Sequence, residues 1–267
     1  MDRDDDLKDD GGMIGSESEE PGPGRDTSLT DPDPVAASTD QPRGTVAMSE
    51  GDPMATRLGS HIEGAGAIGY DVAAAEGGTH EQAGEVVDAA IDRWVYYAGW
   101  TDKIAGVLGS VNPVAGPLLS WSAPEPTGVV GVLAPQSSAL LGLVDVLAPV
   151  LATGCTAVVV AAEARPLPAI ALAEALATSD VPAGVANVLT GRATELGPWL
   201  AAHADVQALD LVGAPAELAA ELERSAAGTV KRVLPRPATE PDPRPVPGLT
   251  RLRTYTEIKT VWHPAGR

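Results

Sequence analysis

The chain predicts an α/β fold: a Rossmann-like open parallel sheet with helices on both faces, joined to a small antiparallel arm. Continuous apolar runs, TGVVGVLA at 127–134 and TAVVVA at 156–161, have the pattern of strands covered on both sides. Helix-length segments bounded by Pro and Gly separate these runs. Two other segments, near 117–124 and 251–262, alternate apolar and polar residues with period two, as half-exposed antiparallel strands do. Strand–helix alternation with short connections places parallel strands side by side through right-handed crossovers.

In chain order, residues 80–105 read as an amphipathic helix in two pieces. Ala83, Val86, Val87, Ala90, Ile91, Trp94 and Val95 recur at three- and four-residue intervals. Glu81, Glu85, Asp88, Asp92 and Arg93 take the opposite face. An earlier helix over 54–75 is weakened by its glycines. After the strand at 127–134 come a helix over 139–152, ended by Gly154, and the strand at 156–161. Pro166 opens a helix to about residue 178, at a position where its missing N–H costs nothing. Strands at 185–189, 206–212 and 229–234 then alternate with helices at 194–202 and 215–226.

Six prolines in 235–247 predict an extended, unpaired spacer of about 3.1 Å per residue. In the strand read at 251–262, Leu252, Thr254, Thr256, Ile258, Thr260 and Trp262 share one face. Arg253, Tyr255, Glu257 and Lys259 share the other. One strand is not stable alone, so it pairs with 117–124, with a partner chain, or with both. The organisation expected is an acidic tail (1–53), an α/β domain with its N-terminal helices and arm strand (54–234), a Pro-rich linker (235–250) and a terminal oligomerisation strand (251–267).

Charge is unevenly spread. Fifteen of the 37 acidic residues but only four of the 18 basic ones precede residue 57, so the acidity is concentrated in a tail with little apolar clustering. Such a segment cannot offset its ordering entropy and reads as disordered and solvating. A net charge of −19 argues against nucleic acid, whose phosphates it would repel. Cys155 is the only cysteine, which rules out an internal disulfide and fits a reducing compartment. Asp145 and Pro149 interrupt the apolar run at 140–152, and the N-terminus is acidic where a signal peptide is basic. A cytoplasmic protein without membrane spans is expected. His61, His80, His203 and His263 lack metal-ligand spacing, and no metal is expected.

Several segments in order resemble the aldehyde dehydrogenase family. PEPTGVVGVLAP at 124–135 is similar to its first nucleotide-domain strand, APVLATGCTAVVV at 148–160 to the following helix and strand, and GVANVLTG at 184–191 to the next. YAGWTDK at 97–103 and VLGSVNP at 107–113 add to the match, and residues 255–262 resemble the family's terminal arm. The resemblance implies aldehyde oxidation through a cysteine thiohemiacetal, with an oxyanion donor, a general base and NAD(P). It also implies that the domain bearing the reactive cysteine is missing between residues 233 and 251. Cys155 falls at a buried strand start and is no substitute.

The other positions implied by the resemblance have changed as well. Ser137 stands where the oxyanion-stabilising asparagine belongs, and a loop or capping role suits it better. Arg236 stands in the general-base position, where a guanidinium cannot accept a proton. Val160 replaces the lysine that reaches the adenosine ribose, while Glu163 and Gly191 persist as cofactor-binding positions, as does Gly197. The phosphate turn reads GAPAEL from Gly213, which places Pro215 and Glu217 against an anion.

No cofactor is therefore expected. The reading is a catalytically inactive pseudoenzyme that assembles with an intact aldehyde dehydrogenase or with itself. Leu119, Trp121, Tyr255, Ile258 and Trp262 are the expected interface residues. The alternatives are an NAD(P)-dependent oxidoreductase acting on aldehydes, and a small-molecule or anion-binding module that uses the old cofactor cleft.

Overall fold

The structure is a computed structural model that describes residues 78–179 and 181–265. The acidic tail expected over 1–53 and the helix expected over 54–75 lie outside the described residues.

Helix α1 (His80–Ala98) starts in a capping box: the Gln82 amide donates to the Thr79 hydroxyl at 3.3 Å, and Thr79 N donates to Gln82 Oε1 at 2.8 Å. Its inward stripe is Ala83, Val87, Ala90, Trp94 and Tyr97. Two expectations fail on this helix. Val95 faces solvent, and Arg93 is buried, 6% exposed, because an acidic partner waits for it inside. The short α2 (Ile104–Leu108) follows and runs past residue 105, where the helical reading ended.

Strands β1 (Ser110–Asn112) and β2 (Leu118–Pro126) lead into the main sheet. Its first strand is β3 (Val129–Leu133), followed by α3 (Leu141–Ala152), whose residues are all buried. Then come β4 (Thr156–Val160), α4 (Leu167–Thr178), β5 (Ala186–Leu189), α5 (Ala193–Ala202), β6 (Ala208–Asp210), α6 (Ala216–Ala227) and β7 (Arg232–Leu234). The five strands are parallel in the order β5-β4-β3-β6-β7. The fifth is shorter than expected because Val230 turns the chain at φ +56°. One apolar cluster joins the sheet to α1, α3 and α4, and a second joins it to α5 and α6. The chain leaves β3 in one direction through β4 and β5 and returns on its other side as β6 and β7. The strand order therefore reverses between β3 and β6, where an open α/β sheet has a crevice at its C-terminal edge.

The end of the chain departs from expectation. Residues 251–262 are not one strand. They begin as a helical turn, α7 (Thr250–Thr254), and continue as β8 (Thr256–Pro264). β8 pairs antiparallel with β2 from Leu118↔Pro264 to Pro126↔Thr256 and gives a three-stranded sheet in the order β1-β2-β8. Leu252 belongs to the core and not to a strand face.

The Pro-rich stretch is also no free spacer. Proline lacks a donor but keeps its carbonyl. Arg93 Nη2 donates to Pro243 O at 2.7 Å and Pro245 O at 3.0 Å, and Tyr96 OH to Pro247 O at 3.0 Å. The stretch is thereby held against α1 as it crosses back to α7.

Candidate functional site

The crevice side of the sheet is built from the residues that follow β3, β4 and β6. After β3 the chain turns through Gln136, which is tied at every polar group. Its amide side chain donates to Ala134 O at 2.7 Å and accepts from Glu163 N at 3.0 Å. Its carbonyl accepts from the Arg165 guanidinium. Its backbone N–H donates to Glu240 Oε1 at 2.8 Å, and the neighbouring Ser137 N–H donates to Glu240 Oε2 at 2.7 Å. Ser137 itself is exposed. The neighbouring Ser138 hydroxyl accepts from Gly142 N in the first turn of α3 at 3.1 Å.

After β4, Glu163 Oε1 accepts from Ala193 N at 2.6 Å. The carboxylate thus faces the first amide of α5, where a negative charge is favoured. Gly191 precedes that helix at φ +153°, a conformation open to glycine. After β6, Gly213 N donates to Leu133 O at 3.0 Å, and a Cβ on Gly213 would overlap the Ala134 carbonyl. This glycine lets the chain after β6 lie against the end of β3. Arg236 Nε donates to Ala214 O at 2.8 Å and its Nη1 to Pro237 O at 2.9 Å, so the guanidinium acts as a backbone donor.

The structure therefore brings Ser137, Glu163, Gly213 and Arg236 to one edge, linked through Gln136 and Glu240. Pro215 brings no N–H to the start of α6, Glu217 adds a carboxylate in its first turn, and the Glu163 carboxylate is engaged by Ala193. Cys155 is buried and its thiol donates to Tyr255 O at 3.2 Å, while burial pushes the thiol pKa up. A thiol so placed is not a nucleophile.

A buried ionic cluster lies beside this edge. Arg251 Nε donates to Asp210 Oδ2 at 2.9 Å and its Nη1 to Asp145 Oδ2 at 3.2 Å. Arg93 pairs with the other oxygen of Asp145. Tyr255 OH donates to Asp210 Oδ2 at 2.8 Å, and Val212 N to Asp210 Oδ1 at 3.1 Å. Two carboxylates and two guanidinium groups compensate one another, as buried charges must. A cavity of about 340 Å³ under the Pro-rich stretch has Asp145, Asp210 and Arg251 in its wall. Sequence reasoning missed this cluster, although Asp145 inside an otherwise apolar helix was its signal.

The expected interface residues do not form one patch. Tyr255 is fully buried and is withdrawn from that role by its bond to Asp210. Directly paired residues on antiparallel strands share a face. The registers Val111↔Trp121, Trp121↔Val261 and Leu119↔His263 put Val111, Leu119, Trp121 and Val261 on one face of the small sheet. Ser120↔Trp262 and Pro124↔Ile258 put Trp262 and Ile258 on the other, with the linked hydroxyls of Ser122 and Thr260. Leu119, Ile258 and Trp262 are each about half exposed or more, at 48%, 53% and 60%.

Among the described residues no group of three or more His, Cys, Asp or Glu could hold a metal ion, and no helix is long and apolar enough to cross a membrane.

Comparison with known proteins matches these features to one family. The model of the aldehyde dehydrogenase family matches residues 63–235. DhaS of Bacillus subtilis is 37% identical over 147 residues, which is 55% of this chain and 29% of the relative. Hydroxyisobutyraldehyde dehydrogenase of Mycolicibacterium austroafricanum is 41% identical over 125 residues, 46% of this chain and 24% of the relative. The chain thus spans about a quarter of the length of the curated relatives it matches. The NAD+ complex of aldehyde dehydrogenase from Bacillus cereus superposes with a TM-score of 0.61 at 28% identity, covering 68% of this chain and 36% of that one. HpcC from Thermus thermophilus superposes equally well, with a TM-score of 0.61 at 30% identity over 67% of this chain and 35% of its own. The chain belongs to the aldehyde dehydrogenase family.

Proposed function

We propose that this chain is a non-catalytic member of the family, located in the cytoplasm, that assembles with an intact aldehyde dehydrogenase. The observation that supports it best is the engagement of the strand ends by the chain's own side chains. Glu240 takes the amides of Gln136 and Ser137, Glu163 takes that of Ala193, and Arg236 occupies the expected base position as a cation. Productive NAD(P) binding is not part of the proposal.

Assembly would use the small sheet. The face with Val111, Leu119, Trp121 and Val261 carries the exposed side chains of Val111 and Leu119 beside the Lys259–Glu125 ion pair, and tryptophan is a common interface anchor. Co-expression of the full chain with an intact aldehyde dehydrogenase from the same cell, followed by size-exclusion chromatography with light scattering, should give a stable complex. Leu119→Asp should abolish it. A chain that never co-elutes would defeat the assembly reading. Aldehyde-dependent reduction of NAD(P) by the purified chain alone would defeat the non-catalytic one.

A further inference from the structure

Glu240 departs from the role of a linker residue. Its two carboxylate oxygens accept separately from two consecutive backbone amides, Gln136 N at 2.8 Å and Ser137 N at 2.7 Å. Two adjacent N–H groups aimed at the two oxygens of one planar group match a carboxylate bidentately. The turn that presents them is not free to relax, because Gln136 is fixed through its side chain to Ala134 O and Glu163 N and through its carbonyl to Arg165. Arg236 is held nearby through Ala214 O and adds positive potential to the site. Glu240 is only partly buried and Ser137 is exposed, so the amides lie within reach of solvent once the side chain leaves.

We infer that the Gln136 and Ser137 amides form a carboxylate-binding site that Glu240 fills in cis, latching the Pro-rich stretch across the C-terminal edge of the sheet. The natural ligand class is a small monocarboxylate that competes with Glu240 for the same two donors. A tethered side chain competes at an effective concentration on the order of millimolar, so wild type resists displacement by free carboxylate. The inference does not depend on assembly or on the absence of catalysis, and its test reads neither.

The test uses the full chain, isotopically labelled, with acetate as the probe and the amide signals of Gln136 and Ser137 as the readout. In Glu240→Ala these two signals should shift saturably with acetate, with an apparent affinity at least about tenfold tighter than in wild type. Their hydrogen exchange without acetate should be faster than in wild type. Glu240→Gln keeps the side-chain volume and serves the same test if the alanine variant unfolds. Equal, unsaturable shifts in wild type and both variants would overturn the site. So would an equal response to chloride at matched ionic strength, or amides that exchange freely in wild type.

Discussion

The Tyr255 hydroxyl donates to Asp210 Oδ2 at 2.8 Å, and this bond ties the chain's last segment to the middle of the parallel sheet. Tyr255→Phe removes it but leaves Asp210 paired with Arg251, so the expected loss is about 1–3 kcal/mol, read from the shift in denaturant midpoint. Tyr97 is the control. It is as deeply buried, but its hydroxyl has no hydrogen-bond partner among the described residues. Tyr97→Phe removes an unsatisfied polar atom and should be neutral or stabilising by up to about 1 kcal/mol.

Arg251 serves two carboxylates at once, Asp210 and Asp145. Arg251→Ala leaves both short of positive charge in a buried setting and should cost about 3–5 kcal/mol. The exposed neighbour Arg253, changed to Ala, should cost less than about 0.5 kcal/mol. Urea titrations of the two variants compare them directly, and equal effects would contradict the cluster's importance.

Gly213 and Gly84 should respond oppositely to alanine. A Cβ at Gly213 would overlap the Ala134 carbonyl, whereas no described residue lies within 4 Å of one at Gly84 on the outer face of α1. Gly213→Ala should cost more than about 4 kcal/mol and yield little soluble protein. Gly84→Ala should stabilise by roughly 0.5–1 kcal/mol, visible as a higher Tm.

The Glu240 latch should open in acid. Burial pushes its carboxyl pKa up, but the hydrogen bonds from Ser137 and Gln136 and the nearby Arg236 guanidinium outweigh that and hold it below the ordinary glutamate value of 4.5. A depressed pKa contributes stability that is fully present above the unfolded value and is lost as pH falls through the folded one. The Ser137 amide signal should therefore be constant from neutral pH down to about 4.5 and move below it. Movement centred above that value would contradict the geometry.

The parallel sheet was legible because its strands are unbroken apolar runs, VVGVL at 129–133 and TAVVV at 156–160, and burial on both faces leaves no other use for them. The start of the terminal segment was misread for a definite reason. Thr-Arg-Leu-Arg-Thr alternates like a strand, but a helical turn lets Arg251 reach Asp210 and Asp145 while Leu252 enters the core. Local pattern yielded to a tertiary ion pair. Arg93 misled for the same cause, since a charge on an amphipathic helix is assigned to solvent unless its buried partner is known. At the candidate site, Ser137, Glu163, Gly213 and Arg236 were placed by resemblance. Glu240 was invisible because nothing local marks an acid among prolines as the ligand of amides a hundred residues earlier.

The pairing of β2 with β8 has a consequence for synthesis. β2 is made before any strand of the parallel sheet, yet its neighbour on one side, β8, is made only after that sheet. Contacts so distant along the chain form late and slowly. A nascent chain still attached to the ribosome must hold the outer edge of β2 open, with Asp210 and Asp145 awaiting Arg251, until residues past Pro264 clear the exit tunnel. During that interval the polypeptide offers an unprotected strand margin to chaperones.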